Sequence, residues 1–360
     1  MNERKKFDTN NFEQEKKLTP KNPENFAHLR PLGTPIEQVY LSSPDEEYSL
    51  RIRKTHTHTA TLKNTGEVTA EGIKRLEIET EIPIDIYDYY RQIGHRILQK
   101  IRYEPCEGVC FDFYNSGEIQ VEYENPTNWQ IFTADTGLSD SDFIDVSHLP
   151  SALNINKATP INELPAQTPD TPISEILDLI QSKTNTEPTV ITITGRSGSG
   201  KSTYVRELQQ NLQVLGHTPT IISSDDYNRG VTALRNPTTG EKWQSWDHPD
   251  TYDLRALDTD IYKLKNGIAV PRRVYDFVSG DPVIDGVVEP ASVIIVEGLY
   301  TRQLSSDKCI EIATPFATCL GRRILRDIVE RPGMANPEKN LLYVMEQAEP
   351  YWRNQQAATR

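Results

Sequence analysis

The run Gly195-Arg196-Ser197-Gly198-Ser199-Gly200-Lys201-Ser202-Thr203 fits the pattern G-x-x-x-x-G-K-[ST], and its residue types suit one task, holding the phosphates of a nucleotide. Glycines let backbone amides close on phosphate oxygens, and a helix start behind them contributes roughly half a positive charge. Lys201 is then placed for the terminal phosphates and the Ser202 hydroxyl for Mg²⁺. The pattern carries weight only between a strand and a helix. Both are read here: apolar residues from Val190 to Thr194 precede it, and an amphipathic stretch from Lys201 to Leu215 follows, stopping before Gly216. ATP and Mg²⁺ are the expected ligands of this segment, and the loop alone does not name an acceptor.

Transfer of a phosphoryl group to a hydroxyl needs a carboxylate within hydrogen-bond reach of the attacking oxygen. Asp225, with Asp226 beside it, follows a second strand at Thr220 to Ser223 and stands where a strand end would present it. Glu297 closes the apolar run from Val293, a place from which a carboxylate can orient Mg²⁺ through water. Arg323 and Arg326 share one face of a helical stretch. The blocks ISSDDYNRG, SWDHPDTYD, VPRRVYDF, VIIVEGLY and GRRILRDIVERP, in that order, resemble the uridine kinases from Thr189 to Arg331. The resemblance implies that Asp225 is the catalytic base, that Asp247 contacts ribose hydroxyls, and that Tyr275 and Asp276 lie against a nucleoside. It also implies a lid in which Arg323, Arg326 and Arg331 close over the transferring phosphate. Phe277 is read as core, and His248 as a turn residue without an assigned role. The sequence departs from that pattern in placing Gly280 where a base-contacting His stands, and Pro332 and Gly333 where a last lid arginine is due. The final strand of the uridine kinases is also expected to be missing.

Far upstream, Glu13, Glu15 and Lys17 alternate, so on a strand all three point to one face. The alternation recurs at Arg51 and Arg53, at Arg75, Glu77, Glu79 and Glu81, at Lys100 and Arg102, and at Glu122 and Glu124. On an open sheet these rows would be a solvated face. In a closed barrel they would point inward, where burial costs several kcal/mol per ion unless opposite charges fill the space. Acidic rows would then hold a divalent metal and basic rows a polyphosphate chain. This arrangement, with Glu-x-Glu-x-Lys on the first strand, resembles the triphosphate tunnel, or CYTH, superfamily from Glu13 to Asp142. The resemblance implies an eight-stranded antiparallel tunnel that acts on triphosphates with Mg²⁺ or Mn²⁺. Glu13, Glu15, Glu77, Glu79, Glu122 and Glu124 would be metal ligands, and Lys17, Arg51, Arg53, Lys63, Arg75 and Lys100 would hold phosphate. His56 and His58 are read as solvated turn residues.

These segments imply a multidomain chain: a flexible start over 1–9, an antiparallel β-barrel over 10–148, a Pro-rich linker over 149–188, and an α/β phosphate-loop domain with a parallel sheet over 189–360. Barrel strands are expected near Glu37–Leu41, Tyr48–Arg53, Ala60–Lys63, Lys74–Ile82, Val109–Tyr114 and Glu118–Glu124, with a helix at Ile86–Leu98. A short helix at 173–183 is expected inside the linker. The net charge of −13 over 360 residues opposes a general nucleic-acid or anionic-membrane surface. With no apolar run of about 20 residues and no apolar core at the start, the chain is expected in the cytoplasm. Cys106, Cys110, Cys309 and Cys319 lack zinc-ligand spacing and are read as free thiols. The function expected is ATP-dependent phosphorylation of a hydroxyl on a nucleoside-like acceptor. Two alternatives stand beside it: a tunnel triphosphatase whose second domain only binds nucleotide, and a non-catalytic nucleotide or polyphosphate sensor.

Overall fold

The computed structural model describes residues 11–150, 153–163, 171–182, 187–236, 238–331 and 336–358. The flexible start expected over 1–9 lies outside them. Two compact units form: the first takes the chain up to Pro165 with 316–321 and 336–342, the second takes the remainder.

The first unit contains strands β1 (Phe12–Pro20), β2 (Thr34–Tyr40), β3 (Tyr48–Lys54), β4 (His58–Asn64), β5 (Glu67–Thr69) and β6 (Gly72–Glu81), then helix α1 (Ile84–Ile93). It continues through β7 (Arg96–Cys106), β8 (Val109–Tyr114), β9 (Ile119–Tyr123), α2 (Pro126–Thr136), β10 (Phe143–Asp145), α3 (Asn154–Lys157) and β11 (Thr159–Pro160). All pairings are antiparallel, in the order β1-β9-β8-β7-β2-β3-β4-β6, and β6 returns to β1 through Glu13↔Arg75 and its neighbours, closing an eight-stranded barrel. Period-two alternation sets what each strand buries. On β8, Val109, Phe111 and Phe113 pack outward with Trp129, Phe143 and Phe26, while Asp112 on the alternate face is also fully buried.

The helix expected to run to Leu98 ends at Ile93, and the chain enters β7 at Arg96. Gly94 makes the sharp exit: a Cβ there would lie 2.1 Å from Cγ1 of Val39, and residues 96–102 are drawn into pairing with β2. His58 is not a solvated turn residue. It begins β4 with its ring 4.8 Å from that of Tyr87, whereas His56 is exposed.

The second unit contains α4 (Ile173–Ser182), β12 (Thr189–Thr194), α5 (Lys201–Val214), β13 (Thr220–Ser223), α6 (Gly230–Leu234), α7 (Leu254–Lys265), β14 (Val270–Asp276), β15 (Asp281–Val288), β16 (Val293–Gly298) and β17 (Lys308–Glu311). Of the last helices, α8 (Phe316–Glu330) belongs to the second unit from Arg322 onward, α9 (Pro337–Tyr343) falls in the first unit up to Leu342, and α10 (Glu349–Ala358) lies in the second. Strands β13-β16-β12-β17 form a parallel sheet, and β14 and β15 an antiparallel hairpin. Alternation along β12 gives the sheet two buried faces. Ile191 and Ile193 meet α4 and α5, whereas Val190 joins Leu257, Ile261 and Leu264 of α7. No strand follows β17 among the described residues. The four cysteines are free thiols, and no described helix is long and apolar enough to cross a membrane.

Much of the segment read as linker is built into one unit or the other. Ile155 and Ala158 are buried against Tyr40, Leu98 and Tyr114, and β11 pairs with β7. In the second unit Ile176 of α4 is fully buried. Residues 151–152, 164–170 and 183–186 of that segment lie outside the described residues. Truncating Ile176 would leave a cavity in the α4–α5 layer. Ile176→Ala is expected to destabilise the second unit by about 3 kcal/mol in chemical denaturation; an unchanged midpoint would show that α4 contributes nothing to the core.

Candidate active site of the second unit and charged interior of the barrel

A parallel sheet delivers its functional groups at the carboxyl ends of its strands, and three strands do so here. Strand β12 leads into the phosphate loop, β13 into Asp225, and β16 carries Glu297 one residue before its end at Gly298. Around them lies a pocket of about 710 Å³ lined by Ser197, Gly198 and Gly200–Thr203 on one side. Lys201 Nζ donates to the carbonyls of Gly195 and Arg196, both at 3.0 Å, and so curls over the loop. The Ser202 and Ser223 hydroxyls each lie 3.4 Å from Glu297 Oε1. Burial pushes the Glu297 carboxyl above its usual range, with Lys201 opposing. Gly298, at φ +156°, has no room for a side chain because a Cβ would collide with the Ser224 hydroxyl. Hydroxyl and carboxylate oxygens from Ser202, Glu297 and Asp225 in one pocket are hard donors of the kind Mg²⁺ takes.

Not every residue of the loop faces this space. Gly195, Arg196 and Ser199 are not part of the lining. The Arg196 guanidinium instead makes two bonds to Glu349, at 2.8 and 2.9 Å, and lies 5.6 Å from the Trp352 ring centre.

The three arginines read as a lid differ from one another. Arg326 reaches Ser197 Oγ at 3.1 Å, and both it and Arg331 line the pocket. Arg323 is buried and makes a two-pronged pair with Asp247, at 2.8 and 2.9 Å. Burial alone would raise the Asp247 carboxyl, but the Arg323 charge outweighs it and holds the carboxyl below its usual range. Asp247 therefore borders the pocket with both oxygens already engaged. Asp327, which sequence reading missed, is fully buried and pairs with Arg323, Arg326 and Arg331. Its spacing four residues from Arg323 and from Arg331 was the available signal.

On the acceptor side, Tyr275 lines the pocket but Asp276 does not. The Asp276 carboxylate accepts from the Val278 and Ser279 amides and so caps the β14–β15 turn. Phe277 is not core: it is 48% exposed and lines the pocket, with the Arg331 guanidinium 4.9 Å from its ring centre. A two-stranded hairpin has no second layer to cover that ring.

Inside the barrel the charged rows meet one another. Lys63 pairs with Glu13 at 2.6 Å and Glu77 at 2.9 Å; Arg75 bridges Glu13 and Glu15; Lys17 holds Glu122 at 2.5 Å and Glu15 at 3.3 Å. Arg53 takes Glu79 at 2.7 Å. Lys100 and Arg102 converge on Asp112, and Arg102 also reaches Glu122 at 2.6 Å. Asp112 was missed because it stands among apolar residues in Val109–Tyr114, although its parity matches Tyr114. Lys17, Arg51, Lys63 and Arg75 line a cavity of about 70 Å³ with Tyr40 and Glu46. The acidic residues read as metal ligands do not stand ready as a cation cage: among the described residues no group of three or more His, Cys, Asp or Glu is so arranged. Each of Glu13, Glu15, Glu77, Glu79 and Glu122 instead pairs with a basic side chain. Glu124 differs: it lies just past the end of β9 and is exposed, and partial desolvation followed by the Glu13, Glu77 and Glu15 charges pushes its carboxyl up to about 7.

The geometry of the second unit is that of a phosphate-loop phosphotransferase. Residues 190–357 match the Phosphoribulokinase / Uridine kinase family, and the chain belongs to that family through this half. Uridine kinases of Staphylococcus aureus, strains JH9 and Newman among them, are 35% identical over 152 residues, which is 40% of this chain and 70% of theirs. The structure of a possible uridine kinase from Bacillus stearothermophilus is 21% identical, with a TM-score of 0.34, over 50% of this chain and 94% of that one. The inorganic triphosphatase NE1496 is 22% identical, with a TM-score of 0.27, over 42% of this chain and 97% of that one.

A raised carboxyl surrounded by other carboxylates loses its proton when a cation arrives. Mg²⁺ added to the full chain at pH 7 is expected to release protons, measured calorimetrically in buffers of different ionisation enthalpy, and Glu124→Gln to release fewer. Equal release by both proteins would place the cation elsewhere.

Proposed function

We propose that the second unit transfers the γ-phosphoryl group of ATP to a hydroxyl of a nucleoside-like acceptor. The observation that carries this reading is the single pocket in which Lys201, Ser202, Asp225, Glu297, Arg326 and Arg331 all appear. The loop amides and Lys201 hold the phosphates, and Asp225 accepts the proton of the attacking hydroxyl. A bond forms between the acceptor oxygen and the γ-phosphorus as the bond to the bridging oxygen breaks, and ADP leaves. Arg326 and Arg331 face the charge that develops on the transferring group. Ser202 and Glu297 would hold Mg²⁺, which when bound neutralises phosphate charge. Arg323 and Asp247 serve as a fixed wall of the acceptor side, since each neutralises the other. Similarity to uridine kinases favours a riboside as acceptor and the cytoplasm as location.

The barrel supports a second reading, a divalent-metal-dependent site for triphosphates. Paired rows of acid and base inside a closed barrel are its specific support, because a phosphate chain and a cation can each replace one member of every pair.

The test is ATP turnover with Mg²⁺, with and without ribosides, separating ADP formation from phosphate release. Asp225→Asn is expected to lower riboside-dependent turnover by roughly 10²–10⁴-fold with ATP binding retained. Undiminished turnover would remove Asp225 from the reaction. Lys201→Ala should abolish transfer and leave acceptor-independent phosphate release intact, and Lys17→Ala should do the reverse. If Lys17→Ala abolishes the whole turnover, the barrel is the principal enzyme.

A further inference from the structure

The second residue of the phosphate loop organises the turn that follows it. The Arg196 carbonyl accepts from the Ser199 amide at 3.1 Å and from Lys201 Nζ at 3.0 Å, so the loop's shape and its lysine's position both depend on where Arg196 sits. Backbone freedom is large here, because Gly198 and Gly200, at φ +82° and +98°, take conformations that glycine alone adopts readily. What fixes Arg196 lies outside the pocket. Its guanidinium reaches Glu349 at the start of α10, Nε to Oε2 at 2.8 Å and Nη2 to Oε1 at 2.9 Å, and lies over the Trp352 ring. Glu349 is buried and takes a further bond from Arg353 Nε at 2.7 Å. A carboxylate held out of water by two guanidinium groups is costly to displace, and a two-pronged pair sets direction as well as distance.

The same stretch of helix touches the acceptor side through other residues. Ser245 Oγ donates to Gln347 Oε1 at 2.9 Å, the Asp247 amide donates to the Tyr343 hydroxyl at 3.0 Å, and the rings of His248 and Tyr351 are 4.7 Å apart. A π-helical turn at Val344–Ala348 lies within this stretch, a distortion frequent at functional sites. Tyr343, Gln347, Glu349 and Tyr351 do not line the pocket, so they act on it through the loops they hold. Resting on the reading of the phosphate loop as the ATP site, we infer that Glu349 is a positioning residue for the nucleotide: acting through Arg196, it holds the loop in the shape that receives phosphates. Once that charge is removed, the Arg196 carbonyl loses its anchor and the loop amides are no longer aimed at one place. The effect is large, because a misplacement of about 1 Å costs up to roughly a hundredfold.

The experiment measures ADP binding with Mg²⁺ by titration calorimetry on the full chain, counting the binding that Lys201→Ala removes. Arg196→Ala and Glu349→Gln are each expected to weaken it by roughly 10–100-fold at unchanged stoichiometry. The double variant should bind no more weakly than Arg196→Ala, as for two residues that act through one contact. A merely structural role would lower the stoichiometry and leave the Kd as it was. Uridine-dependent ADP formation gives a second readout: in Glu349→Gln the KM for ATP is expected to rise while the KM for uridine holds, and an equal rise in both counts against the inference. Unchanged ADP affinity in both single variants, or losses that add in the double, overturn it and leave the kinase reading standing. Affinity losses as expected, in a chain that shows no riboside-dependent turnover, would sink the kinase reading alone. If the unaltered chain binds no ADP that Lys201→Ala removes, the ATP site and its positioning residue fall together.

Discussion

A charge removed from water must be met by an opposite charge or by hydrogen bonds, and both units of this chain are arranged around that requirement. In the barrel it is met pair by pair. Lys17, Arg75 and Lys63 are held by Glu122, Glu15, Glu13 and Glu77, and the buried Asp112 gathers Lys100 and Arg102. Closing eight antiparallel strands forces the alternating charged face inward, and only because both signs occur on that face can the interior be closed at all. An entering anion has to replace carboxylates as the partner of the basic row.

The second unit meets the same requirement with a different device. Asp327 anchors Arg323 and Arg326 on α8 and Arg331 just past its end, so that all three border the pocket from a fixed base while the Arg323 charge is spent on Asp247. The parallel sheet brings the phosphate loop, Asp225 and Glu297 to one edge because three neighbouring strands end there together. Burial, with Asp225 nearby, raises the Glu297 carboxyl, and Lys201 and the Ser202 and Ser223 hydroxyls oppose that shift without cancelling it.

Several features were legible in the residues. The phosphate loop could be read because glycine spacing and the flanking strand and helix are local, and the barrel because period-two charge is also local. Reading was less successful where burial depends on what lies opposite. Phe277 looks like core in an apolar context, yet the hairpin that carries it has no covering layer. Asp276 looks like a pocket residue from its neighbours, yet two amides of its own turn claim it. The proline-rich stretch reads as linker by composition, yet Ile155 and Ile176 pull parts of it into the two cores.

The residues by themselves determined the chemistry on offer: a nucleotide phosphate loop, carboxylates at strand ends, an arginine-bearing helix, and rows of alternating charge in the first third of the chain. Backbone periodicity and glycine geometry act over a few residues, and so they are written in order along the sequence. The tertiary structure alone decided which charges are available and which are spent. That Arg323 closes on Asp247, that Arg196 turns to Glu349, and that the acidic rows of the barrel are paired with the basic ones depends on residues far apart in the chain. Electrostatic partners are chosen by distance in space and by the loss of water, and neither quantity exists until the chain is folded.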